Sequence, residues 1–242
     1  MGLRKYPPDR KAKEKLLAAL DPRFRSPLIS MYRGEQQLGA DGRRYPIMRT
    51  GISPSQGMWL YNLCVSVKPK STIEIGMAYG YSTIFFLAAI SKNRFGRHIA
   101  IDPLQHAYWK GIGLAHTQAL APPTASPPSF QLIEDRSDRA ATDLARSNLT
   151  FEVIFIDGNH RFDDVLVDFY LYAPLCTIGG HIIFDDVRMS SIQTVVAFVR
   201  ANRADFVEIP TDETNICVFR KIRSPVRSWK HFRRFTVSQS TD

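Results

Sequence analysis

STIEIGMAYGYSTIFFLAAI, from Ser71 to Ile90, is the stretch that decides the fold of this chain. Thr72-Ile73-Glu74-Ile75 is a short apolar run of the kind that forms a buried strand. The chain then breaks at Gly76 and Gly80 and resumes at Ser82 with an apolar run long enough for a helix. Strand, glycine-rich turn and helix together make the unit that holds a nucleotide-like ligand above the carboxyl end of a parallel sheet. Glycine is needed there because a Cβ would keep the backbone away from the ligand. Ser82 stands where an N-cap is expected, which would aim free N–H groups and the positive helix end at the same spot.

The spacing of the turn selects among ligands. A dinucleotide fingerprint requires glycines at positions 76, 78 and 81, and this chain has Ala78 and Tyr81. That argues against a nicotinamide-dependent dehydrogenase. Working outward, His98-Ile99-Ala100-Ile101-Asp102 reads as the second strand and ends in an acid. Asp102 lies at the distance from the first glycine at which a carboxylate accepts from both hydroxyls of a ribose. The other reading of Asp102 is a local cap before Pro103. Phe130–Ile133 is the third strand and Phe151–Ile156 the fourth, which runs into Asp157-Gly158-Asn159-His160. His181–Phe184 is the fifth and runs into Asp185-Asp186.

Between these strands lie helical patterns. One starts at Ser53-Pro54 and carries Trp59, Leu60, Leu63 and Val67 on one face. Leu104 to Leu120 reads as a helix interrupted by glycines, and Arg161 to Leu175 has Phe162, Val165, Leu166, Phe169 and Tyr172 as its core face. Ser190 to Asn202 is a further helix, and Phe206–Ile209 and Ile216–Phe219 are two closing strands. Upstream, Asp9 to Leu20 reads as an amphipathic helix ending before Asp21-Pro22, and Arg23 to Thr50 as loop with room for a short helix. Ala121 to Ser129 is a proline-rich connector.

Composition sets outer bounds. The chain has 242 residues, 44% hydrophobic and 23% charged, as in an ordinary globular protein with one sizeable core. No apolar run is long enough to span a membrane, and the basic N-terminus has no apolar core of a secretory signal. Tyr6 stands where a myristoylation signal needs Ser or Thr. Cys64, Cys176 and Cys217 are scattered and odd in number, which fits buried thiols and a cytoplasmic location. The net charge of +9 is concentrated at Arg4–Lys15 and Arg220–Arg234. In the second segment bases alternate with aromatics, which suits either a solvated tail or a surface that meets nucleic acid or membrane.

The turn E-x-G-x-A-x-G-Y-S, with the later D-G-x-H and G-G-x-I-x-x-D-D, resembles the class I S-adenosylmethionine-dependent methyltransferases. Within that class it is similar to the metal-dependent O-methyltransferases of the catechol, caffeoyl-CoA and macrolide-sugar types. The resemblance covers roughly residues 53–219. It implies an α/β, Rossmann-like sheet of seven strands, mostly parallel, with helices on both faces and the last strand antiparallel. It divides the chain into a lid-like segment 1–52, a methyltransferase domain 53–220 and a basic tail 221–242.

By the same resemblance, S-adenosylmethionine would meet Glu74, Gly76, Ala78, Tyr79, Gly80, Ser82, Asp102, Ser137 and Asp157. Asp135 and Arg136 depart from the small residues that the family has beside Ser137. Asp157, Asp185 and Asp186 would hold a divalent cation, Mg2+ by preference, since three acids at neighbouring strand ends repel unless neutralised. The catechol type has asparagine where Asp186 stands. His160 matches the base of the sugar-modifying type, with a backbone-bonded loop histidine as its other reading. The activity implied is methylation of a small-molecule hydroxyl. Two alternatives are a metal-independent methyltransferase on the same fold, and a non-catalytic cofactor-binding protein that uses its basic tail for nucleic acid or membrane. A homodimer is left open.

Overall fold

The continuous apolar runs of the sequence become the strands of one sheet. The computed structural model describes residues 14–48, 50–121, 129–226 and 228–237. Residues 9–13 of the expected first helix, residues 4–13 of the basic N-terminus and most of the proline-rich connector lie outside them. After a 3-10 turn at Leu17–Ala19 come α1 (Pro22–Tyr32), β1 (Gln37–Leu38), β2 (Arg44–Tyr45), α2 (Pro54–Val67), β3 (Ser71–Ile75) and α3 (Tyr81–Asn93). They are followed by β4 (Arg97–Ile101), α4 (Ile112–Leu120), β5 (Phe130–Ile133), α5 (Ser137–Arg146), β6 (Phe151–Ile156) and α6 (Phe162–Tyr172). The last elements are β7 (Cys176–Asp185), α7 (Ser190–Asn202), β8 (Phe206–Ile209) and β9 (Ile216–Lys221).

Seven strands form the sheet in the order β5-β4-β3-β6-β7-β9-β8, and β1 and β2 pair separately. The pairs β3–β4, β4–β5 and β6–β7 are parallel, whereas β9 is antiparallel to both β7 and β8. This is the Rossmann-like α/β arrangement with an antiparallel last strand. Strand β9 enters between β7 and β8 because Ile216-Cys217-Val218-Phe219 is buried throughout, while β8 has exposed Val207 and Glu208 and suits the edge. No helix among the described residues is long and apolar enough to cross a membrane.

The chain divides between Arg136 and Ser137 into two compact units, inside the stretch that the sequence assigns to one catalytic domain. In the first unit Asp21-Pro22 starts a helix instead of ending one. The Asp21 side chain accepts from Arg23 N and Pro22 sits at the first helical position, so α1 occupies part of the expected loop and buries Phe24, Leu28 and Met31. Helix α2 begins as expected, with a capping box between Ser53 and Gln56. Its buried side, however, is Gln56, Gly57, Leu60, Tyr61 and Cys64, and Val67 is exposed. Apolar residues surround this helix, so periodicity alone does not pick a face. The expected helix from Leu104 starts only at Ile112, because Lys110 and Gly111 adopt positive φ and turn the chain first.

In the second unit α6 buries Val165, Asp168, Phe169 and Tyr172 and leaves Phe162 exposed, so an acid replaces an expected apolar core residue. The Lys221 ammonium is buried and donates to the carbonyls of Ala173 at 2.9 Å and Cys176 at 2.7 Å. It thereby caps the end of α6, although desolvation lowers its pKa. The Arg203 guanidinium donates twice to Asp205, at 2.9 and 2.6 Å, and lies over the rings of Phe169 and Phe206.

Two expectations follow from this packing. A Cβ on Gly57 would lie 2.0 Å from the fully buried Phe85 ring. Gly57→Ala should therefore lower stability by about 1–3 kcal/mol in denaturant titration, although alanine favours an exposed helix position. Burial, opposed by a Ser137 hydrogen bond, pushes the Asp168 carboxyl from 3.8 up to about 6. The folded chain then binds the proton more tightly than the unfolded chain. Stability should fall as pH rises between these values, with a cost on the order of 3 kcal/mol complete above them. Asp168→Asn should flatten that dependence and raise the melting temperature at about pH 8.

Candidate active site

In the first unit the end of β3 is built on a buried acid. Glu74 is 0% exposed. It accepts from the hydroxyls of Ser82, at 2.5 Å, and Thr83, and lies 3.1 Å from His98 Nε2. The other imidazole nitrogen of His98 is 2.8 Å from Thr72 Oγ1, and the ring stacks on Phe86 with centroids 4.4 Å apart. This carboxylate thus ties strand β3 to the first turn of α3 and to β4. Helix α3 begins two residues earlier than expected, with Gly80 as its cap at φ 85°. Ser82 lies inside the helix and turns its hydroxyl to Glu74.

The glycine turn itself is held by Asp102. One carboxylate oxygen accepts from Ala78 N at 2.7 Å, Met77 N at 3.2 Å and Gln105 Nε2 at 3.4 Å, and the other accepts from Leu104 N at 2.8 Å. Burial raises the Asp102 pKa, and these four hydrogen bonds pull it down. The local-cap reading of Asp102 is therefore realised, and its second oxygen accepts one backbone N–H with room for another donor. Ala78 holds φ 47°, a left-handed conformation that a non-glycine residue adopts only under constraint. Gly113 packs against the turn so closely that a Cβ there would lie 2.9 Å from Ala78 O and 3.2 Å from Gly80 N.

Of the residues expected around the cofactor in this unit, Gly76 and Ala78 are half-buried, whereas Glu74, Tyr79, Gly80 and Ser82 are buried. Tyr79 meets Trp109 edge to face at 5.0 Å, and its hydroxyl receives Met48 N at 3.4 Å. Gln105 was not legible in the sequence. It is fully buried, donates to Ala78 O at 2.6 Å, and has an Oε1 with no hydrogen-bond partner. His106 pairs with Glu134 at 2.6 Å.

The second unit carries the acids. Asp157 follows β6, and the loop after it is pinned where Ser191 Oγ donates to His160 O at 2.7 Å. Asp186 follows β7 at φ 55°, oriented by Asn215 Nδ2, which donates to its Oδ1 at 2.8 Å. His160 Nε2 lies 3.2 Å from Asp186 Oδ2 and 3.6 Å from Asp157 Oδ1. Each of the three offers one ligand atom, and these atoms lie within 4.8 Å of one another. Asp185 is buried at the end of β7, paired in register with Ile216, and is not in this group. The structure thus brings together two of the three expected acids and adds the histidine. Asn215 carries no sequence signal, because its role comes from β9 returning beside β7. Ser137, at the first position of α5, bonds to Asp168, and its carbonyl receives the Tyr172 hydroxyl at 2.8 Å.

Comparison with known proteins agrees with this geometry. A family described as "Methyltransferase domain" matches residues 73–187. Caffeoyl-CoA O-methyltransferase 5 of Nicotiana tabacum is 26% identical over 149 residues, 59% of this chain and 57% of that protein. An uncharacterised protein of Sinorhizobium fredii, y4gI, is 25% identical over 137 residues, 55% of this chain and 14% of that protein. The chain thus spans less than two thirds of these curated relatives.

Among solved structures, the SAH-bound methyltransferase PaMTH1 of Podospora anserina superposes with TM-score 0.65 at 14% identity, covering 92% of this chain and 100% of that one. The O-methyltransferase of Bacillus cereus in complex with SAH gives TM-score 0.64 at 16% identity, covering 88% and 97%. These structural likenesses establish the fold. With the methyltransferase-domain match over residues 73–187, they make this chain similar to the caffeoyl-CoA O-methyltransferases within a Rossmann-like methyltransferase fold.

Proposed function

We propose that this chain transfers a methyl group from S-adenosylmethionine to a hydroxyl of a small molecule, a phenol or a sugar. The observation that carries this reading is the convergence of Asp157, His160 and Asp186 where β6 and β7 end. In such sheets ligands bind beyond the carboxyl ends of the strands. The half-buried backbone of Gly76 and Ala78 is approachable by the cofactor. The Asp102 oxygen that accepts from Leu104 supplies an acceptor for its ribose hydroxyls. The reported relative that acts on caffeoyl-CoA supports an oxygen acceptor.

The donor set of the cluster, two carboxylates and an imidazole, fits a divalent cation: Mg2+, as the acids alone suggest, or Mn2+ or Zn2+, which accept nitrogen more readily. Asp157 and Asp186 would hold it, and the chemistry it supplies when bound is a lower pKa for a substrate hydroxyl. His160 Nε2 takes the hydroxyl proton. The oxygen attacks the sulfonium methyl, a carbon–oxygen bond forms as the carbon–sulfur bond breaks, and S-adenosylhomocysteine leaves. The protein contributes chiefly alignment of donor and acceptor.

Three variants test this. Asp157→Ala with Asp186→Ala should abolish turnover and leave S-adenosylmethionine binding, measured by calorimetry, nearly unchanged; full wild-type activity in excess chelator would instead favour a metal-independent enzyme. His160→Ala should lower kcat by about 100-fold or more with metal affinity retained, and a matching loss of metal affinity would make His160 a ligand, not the base. Asp102→Ala should weaken S-adenosylmethionine binding by about tenfold or more and lower the melting temperature, since it removes a ribose acceptor and releases the Met77 and Ala78 amides.

A further inference from the structure

The segment after β9 is tied down at both ends. At its start Ile222 N donates to Asp205 O at 2.9 Å and Arg223 Nε donates to Ala204 O at 3.2 Å. At its far end Asn202, the last residue of α7, makes a reciprocal pair with the Arg233 backbone. Its Nδ2 donates to Arg233 O at 3.0 Å, and its Oδ1 accepts from Arg233 N at 2.7 Å. Phe235 then packs edge-on against Phe198 of α7 and lines a cavity of about 740 Å3 with Val196 and Cys217. A solvated, fraying terminus would make none of these contacts.

Between the anchors the chain forms a bow, tightened by a turn in which His231 N donates to Ser228 O. The bow presents apolar side chains to solvent: Val226 is 91% exposed, Trp229 90% and Phe232 61%. Isolated exposed apolar residues are ordinary, but three of them on one doubly anchored loop are not. From Thr214 to Thr241 the sequence has no acid, and from Arg220 to Arg234 it has seven Lys and Arg residues. Apolar tips set among cations suit a layered partner, with anionic groups outside and hydrocarbon beneath. Single-stranded nucleic acid needs open ring faces for bases. Here Lys230 Nζ lies over the Trp229 ring at 5.4 Å, and Val226 is aliphatic.

We propose that the bow formed by residues 224–226 and 228–232 attaches this protein to an anionic lipid surface, with Trp229 and Phe232 entering the interface and the flanking Arg and Lys residues meeting the headgroups. The test is co-sedimentation of the full chain with vesicles of phosphatidylcholine alone or with about 30% phosphatidylserine. Binding should require the anionic lipid and weaken with salt. It should fall about tenfold or more in Trp229→Ala with Phe232→Ala, and comparably in Lys230→Glu with Arg234→Glu. Both pairs are solvent-facing, so melting temperature and S-adenosylmethionine binding should stay at wild-type values and report an intact fold. Absence of vesicle binding at low salt would overturn the proposal. So would binding unchanged in both variants, or tighter binding of a single-stranded oligouridylate that depends on the same residues.

Discussion

The Asp102 carboxylate is the constraint on which the first unit depends. A turn that leaves a strand, reverses and starts a helix within a few residues exposes several backbone amides at once. Asp102, arriving from the end of β4, accepts two of them, from Met77 and Ala78, and so fixes a left-handed conformation at a residue that is not glycine. Below it the fully buried Glu74 holds Ser82 and Thr83 of α3 and faces His98 of β4. A buried carboxylate is tolerated only when its oxygens are satisfied. Here that requirement locks two strands and a helix into one arrangement, with the half-buried Gly76 and Ala78 left as the approach to the turn.

The second unit applies the same physics to a different end. Two carboxylates and an imidazole gather where β6 and β7 run out, and Asn215 and Ser191 orient the chain around them. Like charges so close are costly, and the imidazole placed between them offsets part of that cost. Deeper in the same unit, Asp168 and Lys221 are buried and answered by Ser137 and by the carbonyls at the end of α6. The basic segment beyond β9 is part of this packing, since Asn202 and Phe198 hold its far end.

Much of this was legible beforehand. Alternating apolar runs and glycine breaks marked the strands and their order along the chain, and the family resemblance implied the antiparallel closing strand. The acids at strand ends were visible as D-G-x-H and D-D. What misled the sequence reading was local. Asp21-Pro22 looks the same as a stop and as a start, because an aspartate before proline serves both. Helices apolar on all sides, such as α2, hide which face is buried, and the exposed Phe162 beside the buried Asp168 shows that hydrophobicity alone does not assign a helix face.

By itself, then, the sequence determined which segments become strands and helices and which kinds of side chain stand at the strand ends, because burial and turn chemistry are encoded in neighbouring residues. Only the tertiary structure decided that Asp186, not Asp185, joins Asp157 and His160, that Gln105 and Asn215 belong to these sites, and that the basic tail is strapped to α7. Those outcomes depend on the direction in which each side chain leaves the backbone and on which distant segment arrives beside it. The spacing of residues along a chain carries neither.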